Sequence, residues 1–304
     1  MSKLQPVVVA LDIGGTKLAA AVIDLEGGVS RYRTLPTKPE QGPEAVLDRA
    51  LGLVGEVLDE QEQSGVAPAV IGVSTKGVTS EEGVFGSGMP DWSGLRVPGA
   101  ARQRFPAAKV VIVNDVRAAT VAEMTWGALR GVADGLYVNL GTGFATGIVA
   151  HGELLEGAHG FAGEAGYIVP SQQELRRYRP GSAPLEERIG GGAVPMRSRQ
   201  EIGTALTMEE LVQRARADEK LAAFLQQLYE DVGLWVANVA IVVDPAVVVL
   251  GGGFLRSGEH IMERVQEVMR RVMPFPPSLR RARFGADSAL MGAGALALRS
   301  TGAL

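Results

Sequence analysis

Three glycine-rich turns and a few carboxylates at strand ends are the groups in this sequence that could do chemistry. Leu136–Leu140 is an apolar run short enough for a buried strand, Gly141-Thr142-Gly143 is a tight turn, and Thr146–Ala150 is apolar again. Such a hairpin gathers several backbone N–H groups in one concave turn, and glycine lets a polyphosphate come close to the main chain. The plan recurs near the start of the chain as Val7–Leu11, Asp12-Ile13-Gly14-Gly15-Thr16-Lys17 and Leu18–Ile23. Each copy closes on a second turn, Glu26-Gly27-Gly28 in one and His151-Gly152-Glu153 in the other. A third turn, Gly251-Gly252-Gly253, ends the apolar run Val247–Leu250. Hairpins often use glycine, so one such turn says little. A unit used twice predicts two similar halves facing each other across a cleft. Two turns then suit the β- and γ-phosphates of a nucleotide, and the third suits its nucleoside.

Phosphoryl transfer needs positioning and charge neutralisation more than covalent chemistry, so a base, Mg2+ and hydrogen-bond donors suffice. Asp12 ends the first strand and suits an indirect hold on Mg2+ through water, since that ion keeps its waters; an ordinary turn aspartate would look the same. Asn114-Asp115 follows the strand Lys109–Val113 and precedes a helix from Val116 to about Trp126. Ligands in open α/β sheets gather at such strand ends. Asn and Asp are also preferred helix caps, and both roles fit together if Asn114 caps while Asp115 points into the cleft. The glycine-dense segment Gly157–Gly166 carries one carboxylate, Glu164, and suits an uncharged polar substrate. Glu186 and Glu187, before Gly190-Gly191-Gly192, read as a solvated helix start or as ligand groups. No GxxxxGK[ST] loop is present, and no GxGxxG follows a strand, so Walker and Rossmann phosphate sites are excluded.

The elements that must position these groups can be read in order. Val29–Thr34 is a strand, and Gly42-Pro43-Glu44 opens a helix with an apolar stripe at Val46, Leu47, Leu51, Val54 and Leu58. Ala69–Val73 is a strand, and Thr75–Pro98 a loop region with room for a small hairpin, where Trp92 must pack on core or ligand. Gly131–Gly135 marks a domain junction, and Ser171–Pro184 is a polar surface excursion. Leu221, Phe224, Leu225, Leu228, Val232, Trp235, Val236 and Val239 predict a long buried helix that Asp244-Pro245 stops. A helix over 258–272, a strand over Ala282–Phe284 and a last helix over Ser288–Arg299 complete the chain. Its 304 residues, 46% hydrophobic and 21% charged, suit two ordinary globular domains, and 40 glycines imply many close backbone approaches. A formal charge of −4 without a basic run argues against nucleic acid, and the absence of cysteine excludes disulfides and thiolate metal sites. No apolar run is long enough to span a membrane and Met1–Pro6 has no signal-peptide core, which predicts the cytoplasm.

Nearly the whole chain resembles the ROK (repressor, ORF, kinase) sugar kinases. Asp12-Ile13-Gly14-Gly15-Thr16-Lys17 is similar to the family's first phosphate motif, and Asn114-Asp115 with Ala118-Ala119 to its NDANAA motif. Gly141-Thr142-Gly143 through Gly163-Glu164-Ala165-Gly166 is similar to the family signature, and Asp244-Pro245 through Gly253 to its DPxxIxxGGG motif. The resemblance implies a two-lobed α/β fold of the actin/hexokinase-like ATPase (ribonuclease H-like) class with an interlobe cleft. The lobes would be 1–117 with 288–304, on the sugar and phosphate side, and 118–287, which binds ATP. It implies that Asp115 takes the proton from a sugar hydroxyl while ATP supplies the γ-phosphoryl. Asn114 and Glu164 would hydrogen-bond the sugar, as would Glu186 if Leu185-Glu186 matches the family's CLE. Nucleotide contacts would fall to Asp12, Gly14, Gly15, Thr16, Lys17, Gly141, Thr142, Gly143, Gly251, Gly252 and Gly253, with Mg2+ held by Asp12 through water. The last helix would pack back on the N-terminal lobe. A homodimer or higher homo-oligomer is expected, with a sugar as the small-molecule substrate and no membrane or nucleic-acid partner.

The departures from the family gather on the sugar side. Its zinc motif needs cysteines, so no structural zinc site is expected. Tyr167 stands where the ExGH motif has a histidine, so Tyr167 takes that place against the sugar. Phe144-Ala145-Thr146 replaces a more glycine-rich turn, Lys76 a proline, and Gly88 a sugar-binding asparagine. The expected activity is therefore ATP-dependent phosphorylation of a hexose, an N-acetylhexosamine or a related sugar, with no commitment to glucose. The alternative is a catalytically weak or inactive sugar- or nucleotide-binding regulator. With the first phosphate motif beginning at Asp12, no DNA-binding helix-turn-helix like that of the family's repressors is expected before it.

Overall fold

The computed structural model describes residues 7–62, 70–80, 83–85, 95–257 and 260–304. Gly88 and Trp92 lie outside the described residues, as do the first residues of the helix expected over 258–272. The strands in chain order are β1 (Val8–Ile13), β2 (Lys17–Ile23), β3 (Val29–Pro36), β4 (Val70–Thr75), β5 (Val78–Ser80), β6 (Gly83–Phe85) and β7 (Lys109–Asn114). They are followed by β8 (Gly135–Leu140), β9 (Phe144–Ala150), β10 (Glu153–Leu154), β11 (Val247–Gly251) and β12 (Ser278–Arg281). The helices include α1 (Pro43–Glu62), α2 (Val97–Arg104), α3 (Asp115–Trp126), α4 (Gln172–Arg177), α5 (Glu186–Ile189) and α6 (Val194–Ile202). Then come α7 (Met208–Arg214), α8 (Glu219–Val243), α9 (Phe254–Ser257), α10 (Ile261–Val272) and α11 (Ser288–Arg299).

The chain divides into two compact units, Met1–Arg130 with Asp287–Leu304, and Gly131–Ala286. The boundary anticipated at 117 falls inside α3, which stays whole in the first unit. In that unit the sheet order is β3-β2-β1-β4-β7, with β1, β4 and β7 parallel and β1–β2–β3 an antiparallel meander. On one face Val9, Leu11, Ile13, Ile71, Val73 and Val110 form a core with the α1 stripe of Val46, Leu47, Ala50, Leu51, Leu53 and Val54. Burying each such side chain contributes about 1.5–3 kcal/mol. Against the same sheet, and against α3, packs α11. Gly72 in β4 and Gly292 in α11 make that approach possible, because a Cβ at either would run into the backbone carbonyl of Ala293 or Ala118.

The second unit repeats the plan with sheet order β10-β9-β8-β11-β12, again an antiparallel meander beside parallel strands. Its core gathers β8 and β11 residues with Leu221, Phe224, Leu228, Val232 and Val236 of α8. Asp218 caps the start of α8 by accepting from the amides of Lys220 and Leu221, and Asp244 ends it in the left-handed region at φ 51. The strand expected over Ala282–Phe284 lies earlier, at Ser278–Arg281, where Ser278 to Arg281 pair with Val247 to Leu250. Only Leu279 of β12 is packed inward, so an edge strand of mostly polar residues left little apolar signal.

Candidate active-site residues in each unit

In the first unit the parallel strands end together. Asp12 is in register with Ser74, and Thr75 with Asn114, so polar groups line the carboxyl edge of the sheet, where open α/β sheets hold ligands. The Ser74 hydroxyl, fully buried, donates to Asp12 Oδ1 at 2.5 Å. Burial pushes the Asp12 carboxyl up to about 7; the Ser74 bond and Lys17 act against this, and the negative charges of Asp115 and Asp287 add to it. Asp115 therefore lies within electrostatic reach of Asp12. Asn114 caps α3, its Oδ1 accepting from the amides of Val116 and Arg117 at 2.9 and 3.2 Å. Its Nδ2 donates to the Gly77 carbonyl at 3.0 Å, which leaves one amide hydrogen for a substrate. Asp115 is the first residue of the helix, and its own Oδ1 accepts from the Val116 amide at 2.9 Å.

The turn Gly14–Lys17 is fixed from within. Gly14 N–H donates to the Lys17 carbonyl at 3.1 Å, the buried Thr37 hydroxyl to the Gly14 carbonyl at 2.7 Å, and Thr37 N–H to the Thr16 carbonyl at 3.0 Å. Among the described residues the amides of Gly15 and Thr16 have no partner. Lys17 reaches Tyr32 OH at 3.0 Å and Asp287 Oδ1 at 3.3 Å, and Tyr32 OH donates to Asp287 at 3.0 Å. Asp287 stands just before α11, so the lysine of the turn is tied to the start of the last helix.

The turn Gly141–Gly143 in the second unit is fixed in the same manner. Gly141 N–H donates to the Gly143 carbonyl at 3.1 Å, Gly191 N–H to the Gly141 carbonyl at 2.9 Å, and Gly192 N–H to the Thr142 carbonyl at 2.8 Å. Phe144 N–H donates to Glu186 Oε2 at 3.1 Å. The amides of Thr142 and Gly143 have no partner among the described residues. Gly252 has φ 95, and a Cβ there would meet the Leu140 carbonyl and lie 2.8 Å from the Gly141 amide. Gly251-Gly252-Gly253 thus abuts the same turn. Tyr167 is half-buried, and burial first, then the nearby carboxylates of Glu164 and Glu186, pushes its phenol above the ordinary value. Glu164, Tyr167 and Glu186 therefore share one neighbourhood, with the Phe161 ring 5.1 Å from that of Tyr167. Glu187 is the solvated member of its pair.

Sequence reasoning singled out the two turns, Asp12, Asn114, Asp115 and Glu164. It passed over Ser74, Thr37 and Asp287, and gave Gly190-Gly191-Gly192 no part in the phosphate turn. A serine at the end of an apolar strand opposite Asp12 was a usable sign for the first. Thr37, behind Pro36 in a loop, carries none.

Two α/β units, each with a meander beside parallel strands and a glycine turn, define the actin/hexokinase-like fold. The ROK family model matches residues 8–300, and the chain belongs to that family. A ROK hexokinase from Thermus thermophilus superposes with a TM-score of 0.82 at 29% identity, covering 97% of this chain and 99% of that one. A glucokinase from Thermotoga maritima is 27% identical over 303 residues, covering 90% of each chain. An N-acetylmannosamine kinase from Salmonella arizonae is also 27% identical, over 96% of this chain and 98% of that protein.

Proposed function

We propose that this protein is a kinase that transfers the γ-phosphoryl group of ATP to a hydroxyl of a hexose or N-acetylhexosamine. The observation that carries this reading is Asp115 at the first position of a helix that Asn114 caps, on the sheet edge that also bears Asp12. Asp115 accepts the proton of the sugar hydroxyl as its oxygen attacks the γ-phosphorus, and ADP leaves. In each unit the unpartnered amides of the glycine turn are donors suited to phosphate oxygens, and in the first unit Lys17 adds positive charge. In the second unit Glu164, Tyr167 and Glu186 form the sugar-side cluster; in the first, the remaining hydrogen of the Asn114 amide is a donor for a sugar oxygen.

Asp12 fits Mg2+: its largely buried carboxylate resists ionisation in the absence of a cation, and one carboxylate suffices for an ion that keeps its waters. When bound, Mg2+ neutralises phosphate charge. Among the described residues no group of three or more His, Asp or Glu side chains could hold a metal, so the ion would rest on Asp12, water and the phosphates. Use of ATP assigns the reaction to the cytoplasm; no described helix is long and apolar enough to cross a membrane. The relatives named as kinases of glucose and of N-acetylmannosamine set the panel of sugars. The assignment also includes a homo-oligomer, supported by the exposed apolar side chains of Leu234, Ile241 and Val242 on one long helix.

The test is ADP release from Mg-ATP against hexoses, N-acetylhexosamines and polyols. Turnover on at least one sugar is expected, falling by about 10^2- to 10^4-fold in Asp115→Asn. No turnover on any sugar, or an unchanged rate in the variant, would reject the assignment.

A further inference from the structure

The two glycine turns share a feature that their own sequences do not contain. In the first, the carbonyls of Gly14, Thr16 and Lys17 accept hydrogen bonds within the protein, in the second those of Gly141, Thr142 and Gly143 do, and in each two consecutive amides are left. Thr37 does this in the first unit, taking Gly14 with its hydroxyl and Thr16 with its amide. Gly191 and Gly192 do it in the second, taking Gly141 and Thr142, and Glu186 fixes the next amide, that of Phe144. A carbonyl free to rotate toward a phosphate would repel it, whereas an anchored carbonyl turns its neighbouring N–H groups into a fixed array of donors. The second strap is also built to fit. A Cβ on Gly191 would lie 2.6 Å from the Gly141 carbonyl oxygen, one on Gly192 2.9 Å from Thr142 Cγ2, and one on Gly143 would strike the Glu186 carboxylate.

We propose that Thr37 and the segment Glu186–Gly192 are positioning residues for phosphate binding, each holding one glycine turn with its amides presented to a nucleoside polyphosphate. This rests on the kinase reading and deepens it. Glu186 then acts on the nucleotide through Phe144 N–H, a role separate from any contact with sugar. Thr37 touches no substrate and acts through Gly14 and Thr16 alone.

The experiment measures binding of an imido-bridged, non-hydrolysable ATP analogue by calorimetry, together with the KM values for ATP and for the best sugar. Thr37→Val keeps the shape and removes the hydroxyl, so it should weaken the analogue about tenfold and raise the KM for ATP alike. The KM for sugar should not move, and Thr37→Ser should restore both values. Glu186→Ala should weaken the analogue about tenfold, while Glu186→Gln, which keeps an oxygen for Phe144 N–H, should bind it within about twofold of the parent. Equal binding by Thr37→Val, or failure of serine to rescue, would overturn the first strap. A Glu186→Ala protein with parental analogue affinity and only a raised sugar KM would overturn the second. A parent protein that binds no analogue at all would overturn the kinase reading and this one together, whereas parental affinity in every variant would overturn this one alone.

Discussion

Replacing Asp12 by asparagine should stabilise the first unit at neutral pH while removing turnover. Burial above all pushes the folded pKa of Asp12 from 3.8 up to about 7, the Ser74 bond acts against it, and the charge of Asp115 adds to it. The unfolded chain therefore releases this proton first as pH rises. Between the two values each pH unit favours the unfolded state by up to ~1.4 kcal/mol. Over the span from 3.8 to about 7 that is at most ~4 kcal/mol, absent below the lower value and present in full above the upper one. Asp12 keeps some contact with solvent, which screens the effect, so ~2 kcal/mol is the expected size. Asparagine can still accept the Ser74 hydroxyl hydrogen and cannot ionise. Urea midpoints of the two proteins, measured without nucleotide or Mg2+ from about pH 5 to about pH 8, should diverge with rising pH and level off above about 7. Carboxylates remote from Asp12 are unaffected by the substitution and cancel in the difference. A gap that stays flat across this window, or a variant less stable than its parent at the alkaline end, would refute the reasoning.

Two further outcomes follow from packing. Gly72→Ala sets a methyl against the Ala293 backbone carbonyl and 3.1 Å from the Ala297 Cβ, with no flexible side chain to yield. It should lower stability by about 3 kcal/mol, read as a drop in urea midpoint, and an unchanged midpoint would show that α11 is seated less closely on β4. Val242 is 86% exposed on α8, so Val242→Asp should shift an oligomer to monomer in light scattering; a parent that is already monomeric would remove the oligomer from the proposal.

Much of this was legible because apolar periodicity and glycine placement act locally. The strands around both turns, the α1 stripe and the long α8 each bury a regular face, and that face is written in consecutive residues. Asn114 and Asp115 were readable because strand end, cap and helix start fall in one short stretch. What escaped depends on residues far apart in the chain. Thr37 meets Gly14 across an intervening hairpin, Gly191 meets Gly141 through a loop, and Asp287 reaches Lys17 from the far end of the sequence. The short helices α6 and α7 went unread because each buries only two or three side chains. The strand β12 was misplaced because three of its four residues are exposed.

The return of α11 to β1, β4 and α3 has a consequence for the birth of the molecule. Ribosomes emit the amino end first, and the middle portion, Gly131–Ala286, is one uninterrupted length that can collapse as soon as it emerges. The outer portion must wait. Until Ser288–Arg299 has been made, the side of its sheet destined for α11 lies uncovered, and the close fit at Gly72 and Gly292 cannot form. Nascent chains stalled just short of Ser288 should therefore carry a finished interior domain beside a sticky, incomplete one.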